Sequence, residues 1–247
     1  MTINEIQKGI DYLFNQYKIP VITHNIPMEN LHRWSSEVAD HFKLNKEDFR
    51  KVVAEFFWSA AHIQLSLGYA LIAKKECKFP MGINGKVHKE ADMPHAIGLP
   101  EIHFWYHLYH CYECIYRSWE RMASVLKNVC YPKNKEKMYF DKIVKALETD
   151  SLYNKNPHLN SLKKQIKHWN KIAKERNEVS HDKSSPFQNM NIEGKISNIL
   201  TIDGFPEVYL NYSVASPKEN LENVIDKYKK VYPAMKVIVD FIDNIGR

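Results

Sequence analysis

Two side chains with complementary chemistry stand five residues apart in the segment Arg176-Asn177-Glu178-Val179-Ser180-His181. Arginine keeps its charge at any physiological pH, and its planar guanidinium donates hydrogen bonds to two phosphate oxygens at once. Histidine exchanges protons near neutral pH, so it can act as a general acid or base. Arg176 and His181 are therefore the first candidates for chemistry on a phosphodiester.

The helix that must position these residues is predicted to start near Ser161, with Asn160 as its N-cap. Its apolar face consists of residues at helical spacing, Leu162, Ile166, Trp169, Ile172 and Ala173. One further turn brings Arg176 onto this face. Because an unpaired buried charge is costly, Arg176 must either form a structural ion pair or line a wet cleft that binds phosphate. Spacing alone does not decide between these interpretations.

The separation of Arg176 and His181 raises a geometric problem. Residues five apart on an unbroken helix diverge by about 140°. The two side chains converge only if the helix ends or unwinds between them, or if the arginine stem bends around the helix. The turn-prone residues from Ser180 onward, together with Pro186, predict such an ending.

The motif resembles that of bacterial proteins of the HEPN superfamily, whose signature is an Arg, a polar residue, a few more residues and then a His at the end of a helix. Arg176, Asn177 and His181 match that signature in spacing and in the polar second position. Members of this kind are metal-independent ribonucleases that act as toxins or antiviral effectors. They work as dimers in which two copies of the motif face each other across a cleft.

The resemblance implies a role for each motif residue. His181 would act as general acid or base on the 2′-hydroxyl or the leaving oxygen, and Arg176 would stabilise the pentacoordinate phosphate. Asn177 would orient His181 or bind phosphate. The product would be a 2′,3′-cyclic phosphate, with no metal or other cofactor. The expected partners are RNA, a second copy of the chain and, in a toxin–antitoxin or phage-defence setting, an antitoxin.

Charge is concentrated on the same helix. The chain carries a formal net charge of +6, and residues 161–183 hold seven Lys or Arg against three Asp or Glu. This excess indicates either a solvated lysine face or an electrostatic footprint for a phosphate backbone. In the second interpretation Lys174 and Lys183 contact RNA phosphates.

A second unusual face lies on the helix predicted from Pro100 to Asn128. Residues spaced by three or four positions line it, namely His103, His107, His110, Cys114, Arg117 and Arg121. This set, called the His/Arg stripe below, has three interpretations. It is a solvated or interhelical polar face, a transition-metal site that uses His103 and His107, or a wall of the phosphate-binding cleft.

The composition of the His/Arg stripe argues against the metal interpretation. Arg117 and Arg121 continue the line of histidines, and cations repel a metal ion. The chain also lacks a second His pair or the Glu-x-x-His pairs of a di-iron bundle. We therefore expect no metal, and we expect His107, His110, Arg117 and Arg121 to contact RNA.

Other function classes find no support in the sequence. It contains no Gly-rich phosphate loop, no Gly-x-Ser-x-Gly elbow and no His-Glu-x-x-His motif, and it has only eight glycines. Four unevenly spaced cysteines do not form a disulfide framework. No signal peptide and no charge-free run of about 18 residues is present, which predicts a cytoplasmic protein that does not enter a membrane.

The chain is predicted to be mainly α, a HEPN-like helical bundle of about five long helices. Asp203-Gly204 predicts a β-hairpin inserted before the C-terminal helix, between strands 195–201 and 205–212. Residues 1–45 would form an N-terminal helical extension packed on the core, and residues 46–247 the HEPN-like domain. The segment 46–76 is apolar nearly all round, which predicts a central helix with Asn45 as its cap and His62 in the core. A loop is predicted over residues 77–100, a shorter helix from Asn134 to Glu148, and a cap at Ser216 before the final helix.

These observations predict a metal-independent endoribonuclease with Arg176 and His181 at a dimer cleft. A non-catalytic HEPN-like module that binds RNA, a nucleotide or a partner toxin is the alternative. A metal-binding helical bundle centred on His103 and His107 is the third interpretation.

Overall fold

The chain folds mainly into α-helices, which confirms the predicted fold class. The structure, a computed structural model, describes residues 3–21, 28–77, 99–181, 201–202, 205–206 and 217–245. Within these ranges the elements are α1 (Ile3–Gln16), α2 (Met28–His41), α3 (Lys46–Glu76), α4 (Leu99–Cys130), α5 (Phe140–Thr149), α6 (Leu159–His181), β1 (Thr201–Ile202), β2 (Phe205–Pro206) and α7 (Pro217–Ile245).

The two longest helices, α3 and α4, make the most extensive helix–helix contact, and α7 packs against α4 and α6. Helix α3 begins at the predicted cap, where the Asn45 side chain accepts hydrogen bonds from the backbone N–H groups of Glu47 and Asp48 at 3.0 and 3.1 Å. Phe56 and Ile63 of α3 are fully buried. Helix α3 therefore lies at the centre of the core, as its composition predicts.

The length and composition of α3 also meet the criterion for a membrane span, with a mean hydropathy of 1.2 over its most apolar window. However, 56% of that window is buried inside the protein. A central helix of a globular bundle is apolar where other helices enclose it. Burial therefore accounts for part of the hydropathy of α3, and its exposed apolar side chains, such as Trp58 and Leu65, account for the rest.

The N-terminal segments join the same core. The ring of Phe14 meets that of Tyr228 edge-on at 5.7 Å, and the Tyr228 hydroxyl donates to the carbonyl oxygen of Pro20 at 2.8 Å. The indole N–H of Trp34 donates to Asp243 at 2.7 Å. These contacts connect residues more than 200 positions apart, so the beginning of the chain is fastened to the last helix.

Helix α1 lies directly against the backbone of α3 at Gly68. A Cβ atom added to Gly68 would stand 2.6 Å from Cγ1 of Ile10, a side chain that is fully buried. Such a separation is well inside van der Waals contact. Glycine at this position is therefore what permits the close approach of the two helices.

Two predicted helix starts are displaced in the structure by local side-chain hydrogen bonds. Asn134 accepts from the N–H of Glu136 at 2.9 Å, and the helix predicted from residue 134 begins only at Phe140. Asn156 accepts from the N–H of His158 at 2.8 Å, and α6 begins at Leu159 rather than near Ser161. At Asn134 the side chain competes with helical hydrogen bonds and delays the helix, whereas at Asn156 it closes a turn that leads into α6 earlier than predicted.

The strands before the last helix are short. Thr201 pairs with Pro206 and Ile202 with Phe205 in antiparallel register. The remaining parts of the two predicted strands lie outside the described residues, as do most of the predicted loop at 77–100 and the predicted cap Ser216. This two-residue pairing does not establish the longer predicted hairpin.

Candidate functional site

Helix α6 carries the motif without interruption, because it is helical from Arg176 to His181, the last described residue of this segment. The helix therefore does not end or unwind between the two residues. Their Cα atoms lie about 140° apart around the helix axis. The side chain of His181 and all of Lys183 lie outside the described residues, so the structure places only the arginine half of the motif.

Arg176 is held by two side chains of α4. Its Nε atom donates to Oε1 of Glu113 at 3.2 Å, and its guanidinium carbon lies 5.0 Å from the centre of the Tyr116 ring. The side chains of Arg176 and Glu113 are 32% and 29% exposed. The arginine is thus paired with a carboxylate, as the structural interpretation expects, and it also meets solvent, as the cleft interpretation expects.

The guanidinium keeps donors that these contacts do not use. Nη1 of Arg176 is 3.5 Å from Oδ1 of the exposed Asn177, a long hydrogen bond. An arginine has five N–H donors. Within the described ranges, Nη2 has no hydrogen-bond partner. Arg176 can therefore bind an anion through its Nη atoms while Glu113 and Tyr116 hold its orientation, although the nearby carboxylate opposes that anion.

The residue directly before the motif anchors α6 to its neighbours. Glu175 accepts hydrogen bonds from the Tyr112 hydroxyl of α4 and, at 3.3 Å, from Asn223 of α7. It also pairs with Nζ of Lys227 at 2.6 Å, and the Lys227 side chain is only 3% exposed. Three helices therefore meet at one buried charged cluster.

Opposing forces act on the two charges of this cluster. Burial alone would raise the pKa of Glu175, but hydrogen bonds from Lys227 and Tyr112 outweigh it and leave that pKa lowered. Burial lowers the pKa of Lys227, and the attraction of Glu175 offsets this only in part. Glu175 is therefore ionised at neutral pH, with Lys227 as its closest cation and Lys171, 4.0 Å away on the same helix, as a second.

Sequence reasoning missed this cluster, although a signal for it exists. Lys227 stands three residues after Val224 and four before Val231, both of which are buried in α7. It is thus a cation on an apolar face, the same anomaly that singled out Arg176. Glu113 gave no comparable signal, because its partner lies 63 positions away in sequence.

The His/Arg stripe borders a different cavity. His107, His110, Cys114 and Arg117 form the α4 wall of an open groove of about 420 Å³, and α3 supplies the other wall, including His62 and Tyr69. None of the described residues of α6 lines this groove. Glu113, the partner of Arg176, lies about 60° around α4 from His110 and about 40° from Arg117. The groove and the Arg176–Glu113 pair are therefore neighbours on α4, but no described residue of α6 joins them in one pocket.

Aromatic and histidine rings lie against one another along the groove. Tyr69 stacks on His107 at 5.1 Å, His107 on His103 at 6.0 Å, and Tyr106 on His110 at 6.2 Å. Burial lowers the pKa of His107, and the neighbouring His103 and His110 lower it further. These rings therefore form a continuous surface with planar faces.

His62, which we expected in the core, is exposed instead. Its ring lies 5.9 Å from that of Trp58, one turn earlier on α3, and Trp58 is itself 58% exposed. The apolar pattern of α3 therefore continues onto a face that no described helix covers. An apolar run predicts a central helix but does not reveal which side of it remains open.

The remaining expected contacts of the stripe and of α6 are at the surface. Arg121 pairs with Glu55 at 2.8 Å, so its charge is already matched. Lys174 is exposed on α6. Cys114 lies with its sulfur 3.6 Å from Nε2 of His110. Among the residues whose placement is described, no group of three His, Cys, Asp or Glu side chains is arranged to hold a metal ion.

The described part of the site thus offers one anchored guanidinium with unused donors, an exposed amide beside it and a ring-lined groove on the next side of α4. The Cys114 thiol lies beside His110, but burial raises the pKa of that thiol, so the pair is not an activated nucleophile. The histidine predicted from the sequence to do acid–base chemistry, His181, has its side chain outside the described residues. Neither models of known protein families nor curated proteins nor solved structures match this chain.

Proposed function

We propose that the protein is a metal-independent endoribonuclease of the HEPN type, with Arg176 and His181 acting at a dimer cleft. The observation that carries this proposal is the fixed orientation of the Arg176 guanidinium near the end of a basic helix. Glu113 and Tyr116 fix the guanidinium on one side, and among the described residues its Nη atoms make only the long hydrogen bond to Asn177. A preorganised cation of this kind stabilises charge that develops on a phosphate.

In the proposed reaction the 2′-oxygen attacks the adjacent phosphorus, and the bond from phosphorus to the 5′-oxygen breaks. His181 takes the proton of the 2′-hydroxyl or gives one to the leaving 5′-oxygen, and Arg176 neutralises the pentacoordinate phosphate. Asn177 orients His181 or binds a phosphate oxygen. The products are a 2′,3′-cyclic phosphate and a 5′-hydroxyl. General acid–base catalysis contributes about 10²–10⁴-fold.

A dimer is part of the proposal because α6 remains helical from Arg176 to His181. Two residues that diverge on one helix can still meet across a two-fold axis, where each copy supplies one member of a composite site. We expect a dimer in solution with α6 at or beside the interface. A strictly monomeric protein at high micromolar concentration, measured by light scattering, would contradict the two-motif site.

The expected surroundings of the site belong to the same proposal. Lys174 and Lys183, with His107, His110, Arg117 and Arg121 of the stripe, would contact the RNA backbone. The HEPN-like arrangement of the bundle, the longer hairpin before α7 and the cytoplasmic location are also proposed. An antitoxin would be a further partner if the protein acts as a toxin.

The test is cleavage of a mixed RNA pool in the presence of EDTA. We expect His181→Ala, Arg176→Ala and Arg176→Lys each to abolish cleavage, the last because lysine lacks the planar fork. Lys164→Ala removes an exposed charge from the same helix outside the motif and should retain cleavage. Turnover that survives the motif substitutions, or that is lost on chelation alone, would contradict the proposal.

Arg176→Ala also separates catalysis from a structural role. Its partly exposed pair with Glu113 and its contact with Tyr116 should together contribute about 1 kcal/mol to the free energy of unfolding. A variant that folds normally and does not cleave RNA supports the proposal. If no RNA is cleaved by the unmodified protein and Arg176→Ala is strongly destabilised, the non-catalytic binding module is the better description.

A further inference from the structure

Exposed apolar side chains are concentrated on the outer face of α3 and α4. Five of the seven large apolar side chains that are exposed among the described residues lie there, namely Trp58, Leu65, Tyr69, Ile102 and Tyr106. Tyr106, at 63% exposure, is the most open of the five. Single exposed apolar side chains are ordinary, but a contiguous patch marks an interaction surface.

The five side chains are contiguous because of their spacing. Leu65, Tyr69 and Tyr106 border the groove between the two helices. Ile102 lies one turn before Tyr106 on α4. Trp58 adjoins the groove through its contact with His62. From Trp58 to Tyr69 the patch extends about 16 Å along α3, from the 1.5 Å rise per residue, which is the length of a few nucleotides.

The described lining of the groove holds a cation and no carboxylate. Among the described residues that line it none is acidic, whereas Arg117 and three histidines belong to the lining. In the described ranges no acidic side chain pairs with Arg117, in contrast to Arg121, which pairs with Glu55 at 2.8 Å. The surface therefore combines exposed aromatic rings with a cation that no described carboxylate pairs with, a composition that complements a polyanion bearing planar groups.

We propose that this groove binds an unpaired stretch of RNA, with bases against the rings of Tyr69 and Tyr106 and a phosphate on Arg117. The choice of RNA rests on the proposed function. The choice of an unpaired strand rests on the groove, because the base faces of a duplex are stacked on one another and are closed to protein rings. From the groove we therefore infer that the substrate is single-stranded RNA.

The position of the groove relative to Arg176 supports this role. Arg117 and Glu113, the partner of Arg176, are one helical turn apart on α4. That spacing is about 6 Å along the axis and about 40° around it, so the two residues lie on the same face of the helix. A strand that leaves the groove over Arg117 therefore arrives beside the guanidinium of Arg176. The groove holds nucleotides that flank the scissile phosphodiester.

The test uses the full chain with His181→Ala, so that RNA is bound without being cut. Binding of a labelled 12-nucleotide single-stranded RNA is measured by fluorescence anisotropy and compared with that of the same sequence as a duplex. We expect Tyr106→Ala and Tyr69→Ala each to raise the Kd for the single strand roughly tenfold, as loss of a base–aromatic stack does. Arg117→Ala should reduce the slope of log Kd against log salt by about one phosphate contact.

Matched controls separate the loss of a ring contact with RNA from a general disturbance of the fold. Tyr106→Phe keeps the ring and should bind within about twofold of the parent, since stacking uses the ring face. Tyr12→Ala removes an equally exposed tyrosine from α1, outside the groove, and should leave the Kd unchanged. Duplex RNA should bind more weakly and should not respond to Tyr106→Ala.

Two results would overturn the inference. One is unchanged single-strand affinity for both tyrosine variants. The other is conversion of a dimer into a monomer by Tyr106→Ala, which would make the face an interface between copies of the chain. If the unmodified protein cleaves RNA and the groove variants bind RNA normally, the proposed role of the groove is wrong and the proposed nuclease function is unaffected. If binding depends on the groove but no RNA is cleaved, the proposed nuclease function is wrong and the binding role of the groove is retained.

Discussion

Nε of Arg176 and Oε1 of Glu113 are joined by a hydrogen bond of 3.2 Å. The carboxylate has two opposite effects on this site. It fixes the direction of the guanidinium, and its negative charge opposes any phosphate that approaches. Substitutions that keep one effect and remove the other should separate them.

Glu113→Gln keeps an acceptor for Nε of Arg176 and removes the negative charge. We expect tighter RNA binding, and a slope of log Kd against log salt that is steeper by about one phosphate contact, because Arg176 is then uncompensated. Glu113→Ala removes the acceptor as well, so cleavage should fall while binding is retained. Anisotropy over a salt series and single-turnover cleavage measure the two effects. If Glu113→Gln and Glu113→Ala bind and cleave RNA equally well, Glu113 does not position Arg176.

The buried pair between Glu175 and Lys227 should dominate the stability of this region. Lys227→Met leaves Glu175 partly buried without its cation, and we expect a loss of about 3 kcal/mol in the free energy of unfolding. Adding Glu175→Leu should recover most of this loss, since the apolar pair needs no charge compensation. Lys236→Met, an exposed position of α7, is the control. If urea denaturation shows that Lys227→Met is as stable as the parent, the Glu175–Lys227 pair does not stabilise this region.

Stability should decrease on acidification because of His107. Burial, with His103 and His110 nearby, lowers its pKa, so the unfolded chain binds a proton more readily than the folded one. The stabilising contribution is present above the unfolded pKa of about 6.5 and is lost as the pH falls. The melting temperature should therefore drop between pH 7.5 and 5.5, and His107→Gln should reduce the drop.

His168 should contribute to the same pH dependence with the same sign. Its pKa is lowered by burial and then by Lys230. The double variant His107→Gln/His168→Gln should accordingly show a smaller change in melting temperature than either single variant. A melting temperature that rises on acidification over this range would contradict the pKa directions of both histidines.

Gly68→Ala should destabilise the packing of α1 on α3. The added methyl group would stand 2.6 Å from Cγ1 of Ile10. Overpacking of this kind costs about 1–3 kcal/mol, against about 1 kcal/mol gained from the helix propensity of alanine. Gly9→Ala is a matched control in α1, because its methyl group meets no atom within 4 Å. Thermal melts should show a loss for Gly68→Ala and none for Gly9→Ala.

Periodicity predicted the helices because each buried face repeats at 3.6 residues per turn. Asn45 was predicted as a cap for an equally local reason, since its side chain bonds to N–H groups two and three residues later. Local signals gave wrong helix starts near Asn134, where the side chain competes with the helix, and near Asn156, where the side chain closes a turn that leads into the helix earlier than predicted. Sequence thus predicts what is determined within about one helical turn.

The site was predictable only in part, for the same reason. Arg176 was conspicuous as a charge on an apolar face, but Glu113 belongs to another helix and no local pattern connects the two. Lys227 shows the same anomaly in the last helix, but its partner Glu175 lies on another helix, so no local pattern predicts the pair. The exposure of His62 depends on which face of α3 its neighbours leave open, and this is a property of the assembled bundle.

The order of synthesis gives the Glu175–Lys227 pair a further consequence. Glu175 and Arg176 leave the ribosome well before Lys227, because α7 follows α6 in the chain. At roughly 5–20 residues per second the interval lasts several seconds. During that interval Glu175 lacks Lys227, its closest cation, and the end of α6 lacks one of its anchors. For a protein that we propose cleaves RNA, this order of synthesis would delay completion of the site until α7 has been made and has packed against α6.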